Sequence, residues 1–230
     1  MNSHKKTARI VGVLFIISTV TGGLSAVLLG SILNAPDYLI QVSAHKNQVI
    51  IGALLELICA GAFLGIAVMI FPILKKLHEP IAVGYLVGRI FEAVPFVVGV
   101  ISLLSLLTLS HEYVQAGAPD ASYVLPLGAL LLTVRDWYNV LGPRIFCCLA
   151  ALPFYYVLYQ SKLVPRFISV WGLIGTIVFL AVGVVIMFGL DPVSNISIVL
   201  SLPFALNEMA LAVWLIVKGF NASAIASDML

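Results

Sequence analysis

Charge is what this chain has least of. Asp, Glu, Lys and Arg make up 10% of its 230 residues, against about a quarter in an ordinary soluble domain. Hydrophobic residues make up 62%, and the mean hydropathy is +1.14. No single core of a soluble domain this size could bury so much apolar surface, so the scarcity of charge points to an integral membrane protein. The formal net charge of +2 is too small for a nucleic-acid-binding surface, and no nucleic-acid partner is expected. Cysteine is also scarce. Cys59, Cys147 and Cys148 all lie inside apolar runs and read as small buried hydrophobes, without a disulfide or a metal site. The four histidines, His4, His45, His78 and His111, fall at run ends or in loops, which removes the buried axial pair of a membrane haem protein. There is no HExxH, GxSxG or Walker-type loop, so the chain carries no recognisable catalytic constellation, and no cofactor is expected.

What the chain does have is length of apolar run. Six stretches, 10–33, 49–74, 81–109, 140–159, 167–190 and 196–217, each reach the ~20 residues that a helix needs to cross a ~30 Å hydrocarbon core. Backbone groups in lipid must be satisfied internally, and the period-2 alternation of a barrel strand is missing. The sequence therefore predicts an all-α, six-span helical bundle forming one domain over 1–230, with the bilayer as its first partner. The N-terminal run continues past the usual h-region of a secretory signal and reads as a retained first helix. The segment 122–139 contains an apolar part, 123–134, too short to cross, followed by Arg135, Asp136, Trp137 and Tyr138. It reads as a short interfacial or re-entrant helix at the mouth of the fourth span. With six spans, Lys5, Lys6, Arg9, Lys75, Lys76, Lys162, Arg166 and Lys218 share one side, and Lys46 lies on the other, with Arg135 beside the fourth span. The positive-inside rule then puts both termini in the cytoplasm.

Against this background the charged residues inside the runs stand out: Glu56, Arg89, Glu92, Arg144, and Asn207 with Glu208. Helical rise places the three acids roughly 10–18 Å from a membrane face, where one bundle could bring them together. An unpaired charge at that depth is expensive, so pairing is expected, with Arg89 and Glu92 at i, i+3 as the first pair. Gly84 and Gly88 extend the Glu92 stripe, Gly61 and Gly65 follow Glu56, and Ser201, Ala205 and Ala212 accompany Glu208, so the polar faces read as packing faces. Three acids against two bases leave one acid over. The surplus makes a proton, a cation or a small ligand the candidate partner, and Glu208 the first candidate to hold it. These features suit a small transporter-like or ligand-binding bundle. The competing expectation is a structural or sensory protein whose charges only fix helix packing; a homo-oligomer is compatible with either.

The pieces ARIVGVLFIISTVTGG (8–23), GRIFEA (88–93) and LPFALNEMALAVWLIVKGF (202–220) together resemble a bacterial family of small membrane proteins catalogued as domain of unknown function 4386. The resemblance covers nearly the whole chain. It implies a multi-pass protein of the bacterial inner membrane and draws attention to Arg89, Glu92, Asn207 and Glu208, without naming an activity.

Overall fold

The structure, a computed structural model, describes residues 3–116 and 121–221. Its elements are α1 (Ser3–Leu33), α2 (Tyr38–Ala44), α3 (Lys46–Leu77), α4 (Glu79–Gln115), α5 (Ala121–Val140), a π-helical turn (Leu141–Phe146), α6 (Cys147–Ser161), α7 (Arg166–Met187) and α8 (Asn195–Val217). Six helical segments are long and apolar enough to cross a membrane, and the fourth of them is Tyr123–Ser161. α1 packs on α3 and α8, α3 on α4, α4 on α5 and α6, α6 on α7, and α7 on α8. The spans thus close into a ring around a common interior.

Local chemistry explains the corners. His78 alone separates α3 from α4; it is extended, its Nδ1 accepts from the Ile81 N–H at 3.4 Å, and Pro80 occupies the first turn that follows. α6 stops where Lys162 takes a left-handed conformation (φ 54°), and Pro165 opens α7. The α8 start is capped by the Ser194 hydroxyl, which accepts from the Ser197 N–H at 3.3 Å.

Where the sequence suggests a separate interfacial or re-entrant helix, α5 instead runs through the π turn into α6 without a break. The reason is electrostatic. Arg135, the charge that interrupts the apolar run, is buried and paired with Glu56, so it does not have to mark the end of a span. At 1.5 Å per residue the α5–α6 rod is about 60 Å long and α4 about 55 Å, both well beyond a ~30 Å hydrocarbon core. Both helices are thus longer than a span requires, and α2 packs against α4.

The ends of the bundle differ in charge. A Cβ on Gly219 would lie 3.8 Å from Ala8 and Lys5, the Asn221 N–H donates to the Leu163 carbonyl at 2.9 Å, and Ala8, Leu74, Leu163 and Phe220 belong to one core cluster. The start of α1, the α3–α4 corner, the α6–α7 corner and the end of α8 therefore lie together, bringing with them Lys5, Lys6, Lys75, Lys76, Lys162, Arg166 and Lys218. A second cluster, including Leu29, Leu39, Val49, Leu106 and Val124, fills the opposite end.

Close backbone approach occurs at particular glycines. The Tyr155 ring of α6 lies where a Cβ on Gly172 of α7 would stand, and the Ala212 carbonyl of α8 would be 2.6 Å from a Cβ on Gly12 of α1. Gly88 meets Ala150 of α6, whereas Gly84 and Gly61 face open space and Ala205 is exposed, so only part of each expected small-residue stripe is used in packing. Gly172→Leu should force Tyr155 out of the core and lower the melting temperature of the purified protein by several degrees, whereas Gly84→Leu should leave it nearly unchanged. Equal shifts would mean that α6 and α7 are not in contact at Gly172.

Candidate functional site

The intramembrane charges form separate groups at two levels rather than one cluster. One group, at the level farther from the basic end of the bundle, centres on Glu56 of α3. Arg135 donates to it twice, Nη2 to Oε1 at 2.7 Å and Nη1 to Oε2 at 3.2 Å. The Tyr138 hydroxyl donates to Oε1 at 2.7 Å, the Ser25 hydroxyl lies 3.2 Å from the same oxygen, and Arg135 Nη1 also reaches the Gly99 carbonyl at 3.3 Å. Four helices, α1, α3, α4 and α5, thus meet at one carboxylate. Gly99 makes this fit possible, because the Tyr138 ring fills the space a side chain there would need. Both carboxylate oxygens are satisfied, and the guanidinium lies 5.2 Å from the Tyr138 ring centroid. Two-pronged guanidinium–carboxylate geometry is the strong form of such a pair, and this knot is closed.

The sequence reading missed Arg135, Tyr138 and Ser25 as members of this group. The sequence puts Arg135 beside the fourth span, whereas the structure buries it inside the bundle. The available signal was the i, i+3 spacing of Arg135 and Tyr138 within an otherwise apolar helix.

The other group lies on α4. Arg89 and Glu92 sit about 15 and 20 Å along the helix from Glu79, and Glu56 lies about 32 Å from the corresponding end of α3, so the two levels are separate. Arg89 Nη1 donates to Glu92 Oε2 at 2.7 Å and Nε donates to the Tyr85 hydroxyl at 3.2 Å. The guanidinium lies between the rings of Phe63 and Tyr85, at 5.3 and 5.2 Å, with Cys147 Sγ 3.9 Å from Nη1. Here the bond to the acid is single, and Glu92 Oε1 is buried without a hydrogen-bond partner among the described residues. The expected i, i+3 pair is thus present, on its own helix.

Glu208 of α8 stands about 14 Å from Val217, close to the level of Arg89. It is half-buried, and among the described residues it makes neither a hydrogen bond nor an ion pair; Arg89 and Glu92 are the charges whose fields reach it. Asn207, its neighbour in sequence, faces elsewhere. Its amide donates to the Ile168 carbonyl of α7 at 2.8 Å and ties α8 to α7, while its Oδ1 is buried and unpaired.

Arg144 lies apart from both groups, in the π turn. Its Nη1 donates to the Ser201 hydroxyl at 3.3 Å and its guanidinium is 5.2 Å from the Phe179 ring centroid; no carboxylate among the described residues pairs with it. Among the described residues the bundle interior therefore holds three arginines and three acids, with two pairs formed and Glu208 and Arg144 left over, while Asp136 of α5 is exposed. Among the described residues no three His, Cys, Asp or Glu side chains come together as a metal site. Cys59, Cys147 and Cys148 are free and buried.

These features define a class: a polytopic α-helical membrane protein whose ring of spans carries Arg–Glu pairs in its interior. Within that class the chain belongs to the family described as domain of unknown function DUF4386, whose model matches residues 10–219. No curated protein and no solved structure matches the chain.

Proposed function

We propose that the protein is a small transporter-like or ligand-binding bundle in which Glu208 is the group that exchanges a proton or a cation. One observation carries this reading: of the three acids inside the bundle, Glu56, Glu92 and Glu208, Glu208 alone lacks a cation or hydrogen-bond donor among the described residues, and it is half-buried. A carboxylate locked to an arginine keeps its charge and cannot be discharged cheaply. One without a fixed partner can trade its charge for a proton or accept a cation, which is how intramembrane acids serve in relays. Its neighbours suit the task. The fields of Arg89 and Glu92 act on it, so its occupancy is coupled to the ion pair on α4.

In purified protein reconstituted into vesicles, a pH gradient should drive movement of a monovalent cation or small solute, read with an entrapped pH dye. Glu208→Gln should abolish that movement while leaving folding unchanged. Flux that survives in the Gln variant would remove Glu208 from the role. The structural reading draws support from the closed knot at Glu56, whose geometry leaves nothing over for exchange; we assign that role to the Glu56 group only.

The same reading sets the protein in the bacterial inner membrane with its basic end in the cytoplasm, on the ground of the Lys and Arg bias. A cytoplasm-dependent reporter fused after Lys218 should be active, and a cysteine placed at Lys46 should react with a membrane-impermeant label from outside. Inverted outcomes at both positions would reverse the orientation.

A further inference from the structure

We propose that Arg144, assisted by Ser201, is a binding site for the carboxylate of an amphiphilic monoanion that enters the bundle from outside the chain. The argument begins with charge balance. Glu56 and Glu92 are taken by Arg135 and Arg89, and no acid stands against Arg144. An arginine that merely tolerates the membrane turns its head toward the nearer interface. Arg144 does the reverse. Its Cβ would meet a Cβ on Gly183 at 3.1 Å, about 6 Å along α7 from Met187, whereas its guanidinium lies by Phe179, one turn deeper at about 12 Å. The charge is thus held inward, beneath the level where lipid headgroups sit.

The backbone around it is specialised in the same sense. The π turn Leu141–Phe146 carries Arg144, and such turns are frequent at functional sites. Beside the guanidinium, Phe179 stacks on Phe204 with centroids 4.8 Å apart and planes at 9°, offering an apolar wall. Ser201 donates its own proton to the Ser197 carbonyl at 2.6 Å, so its oxygen faces Arg144 as an acceptor and helps to aim the fork. Two arms of a guanidinium suit the two oxygens of a carboxylate. A single positive charge in a low-dielectric setting balances a single negative one, which favours a carboxylate over a doubly charged phosphate monoester. The aromatic wall suits an apolar body attached to it.

The test uses the full chain in lipid nanodiscs with radiolabelled octanoate as probe and octanamide, which has the same tail and no charge, as control. A saturable component is expected for octanoate, not displaced by octanamide. Arg144→Gln should weaken it by about tenfold or more, Arg144→Lys should restore part of it, and Ser201→Ala should weaken it several-fold. If the Gln variant folds poorly, Ser201→Ala and the octanamide comparison still decide. The proposal is overturned if octanoate binding is non-saturable, if octanamide competes equally, or if Arg144→Gln leaves binding intact. Two other outcomes also overturn it: a tightly held anionic phospholipid in native mass spectra that is lost only in Arg144→Gln and not displaced by octanoate, or a dimer that Arg144→Gln converts to monomer. Proton exchange at Glu208 is read without any carboxylate ligand, so the two readings fail separately.

Discussion

Arg135→Ala should be among the most damaging single substitutions in the chain. It removes both arms that hold Glu56 and leaves an ionised or newly protonated carboxyl buried where α1, α3, α4 and α5 meet. Breaking a buried ion pair from one side costs about 3–5 kcal/mol, a large share of the 5–15 kcal/mol that a whole domain usually has to spare. The expected result is a sharp loss of folded protein after detergent extraction. Glu56→Gln should be milder, because Tyr138 and Ser25 can still donate to the amide oxygen. The double change Arg135→Met with Glu56→Met, similar in bulk and free of charge, should recover most of the yield. Thermal melts of the wild type, Arg135→Met, Glu56→Met and the double Met variant form a double-mutant cycle, and simple additivity would show that the two residues do not interact.

Arg89→Ala should have a comparable effect by a different route. The guanidinium is 1% exposed and does three things at once: it neutralises Glu92, bonds the Tyr85 hydroxyl and packs between two aromatic rings. Its removal strands Glu92, at a similar cost of about 3–5 kcal/mol, and also takes away the nearest positive field on Glu208. Adding Glu92→Ala should therefore rescue folding only in part, because the aromatic slot stays empty and Glu208 keeps its altered surroundings. Adding Glu208→Gln as well should recover more. If Arg89→Ala with Glu92→Ala is as damaged as the sum of the two single changes, measured by fraction of monodisperse protein on size exclusion, the pairing on α4 is wrong. Arg144→Gln, which strands no acid, should be mild in the same assay.

The contrast between the two arginines explains what was legible in the sequence. Arg89 and Glu92 are three residues apart on one helix, so helical geometry alone predicts their contact. Arg135 and Glu56 are separated by 79 residues, and no local pattern announces that pairing. A hydropathy reading treats Arg135 as the place where a span must end, since it cannot know that a distant carboxylate has already neutralised the charge. That is why 122–139 reads as a separate short helix when it is the first part of a long rod. The π turn had one local signal, Pro143, which offers no N–H to the helical ladder and crowds the preceding turn; Pro95 and Pro153 sit inside regular α-helix, so a proline alone does not single it out. The runs themselves were easier to read, because the need to satisfy every backbone group in lipid leaves the chain little choice but helix. Charge counting along the sequence found Glu208 to be the surplus acid for an incomplete reason. It counted two arginines, whereas three lie within the bundle, and Glu208 is left over because Arg144 is not placed to meet it.

The most direct test of the central claim is infrared difference spectroscopy on protein reconstituted in lipid, stepping the pH across the physiological range and following the carbonyl band of protonated carboxyl groups. The account predicts one intramembrane carboxyl that gains and loses its proton, with a band that vanishes in Glu208→Gln and persists in Arg144→Gln. A wild-type protein with no titrating intramembrane carboxyl, or a band that survives unchanged in Glu208→Gln, would contradict it.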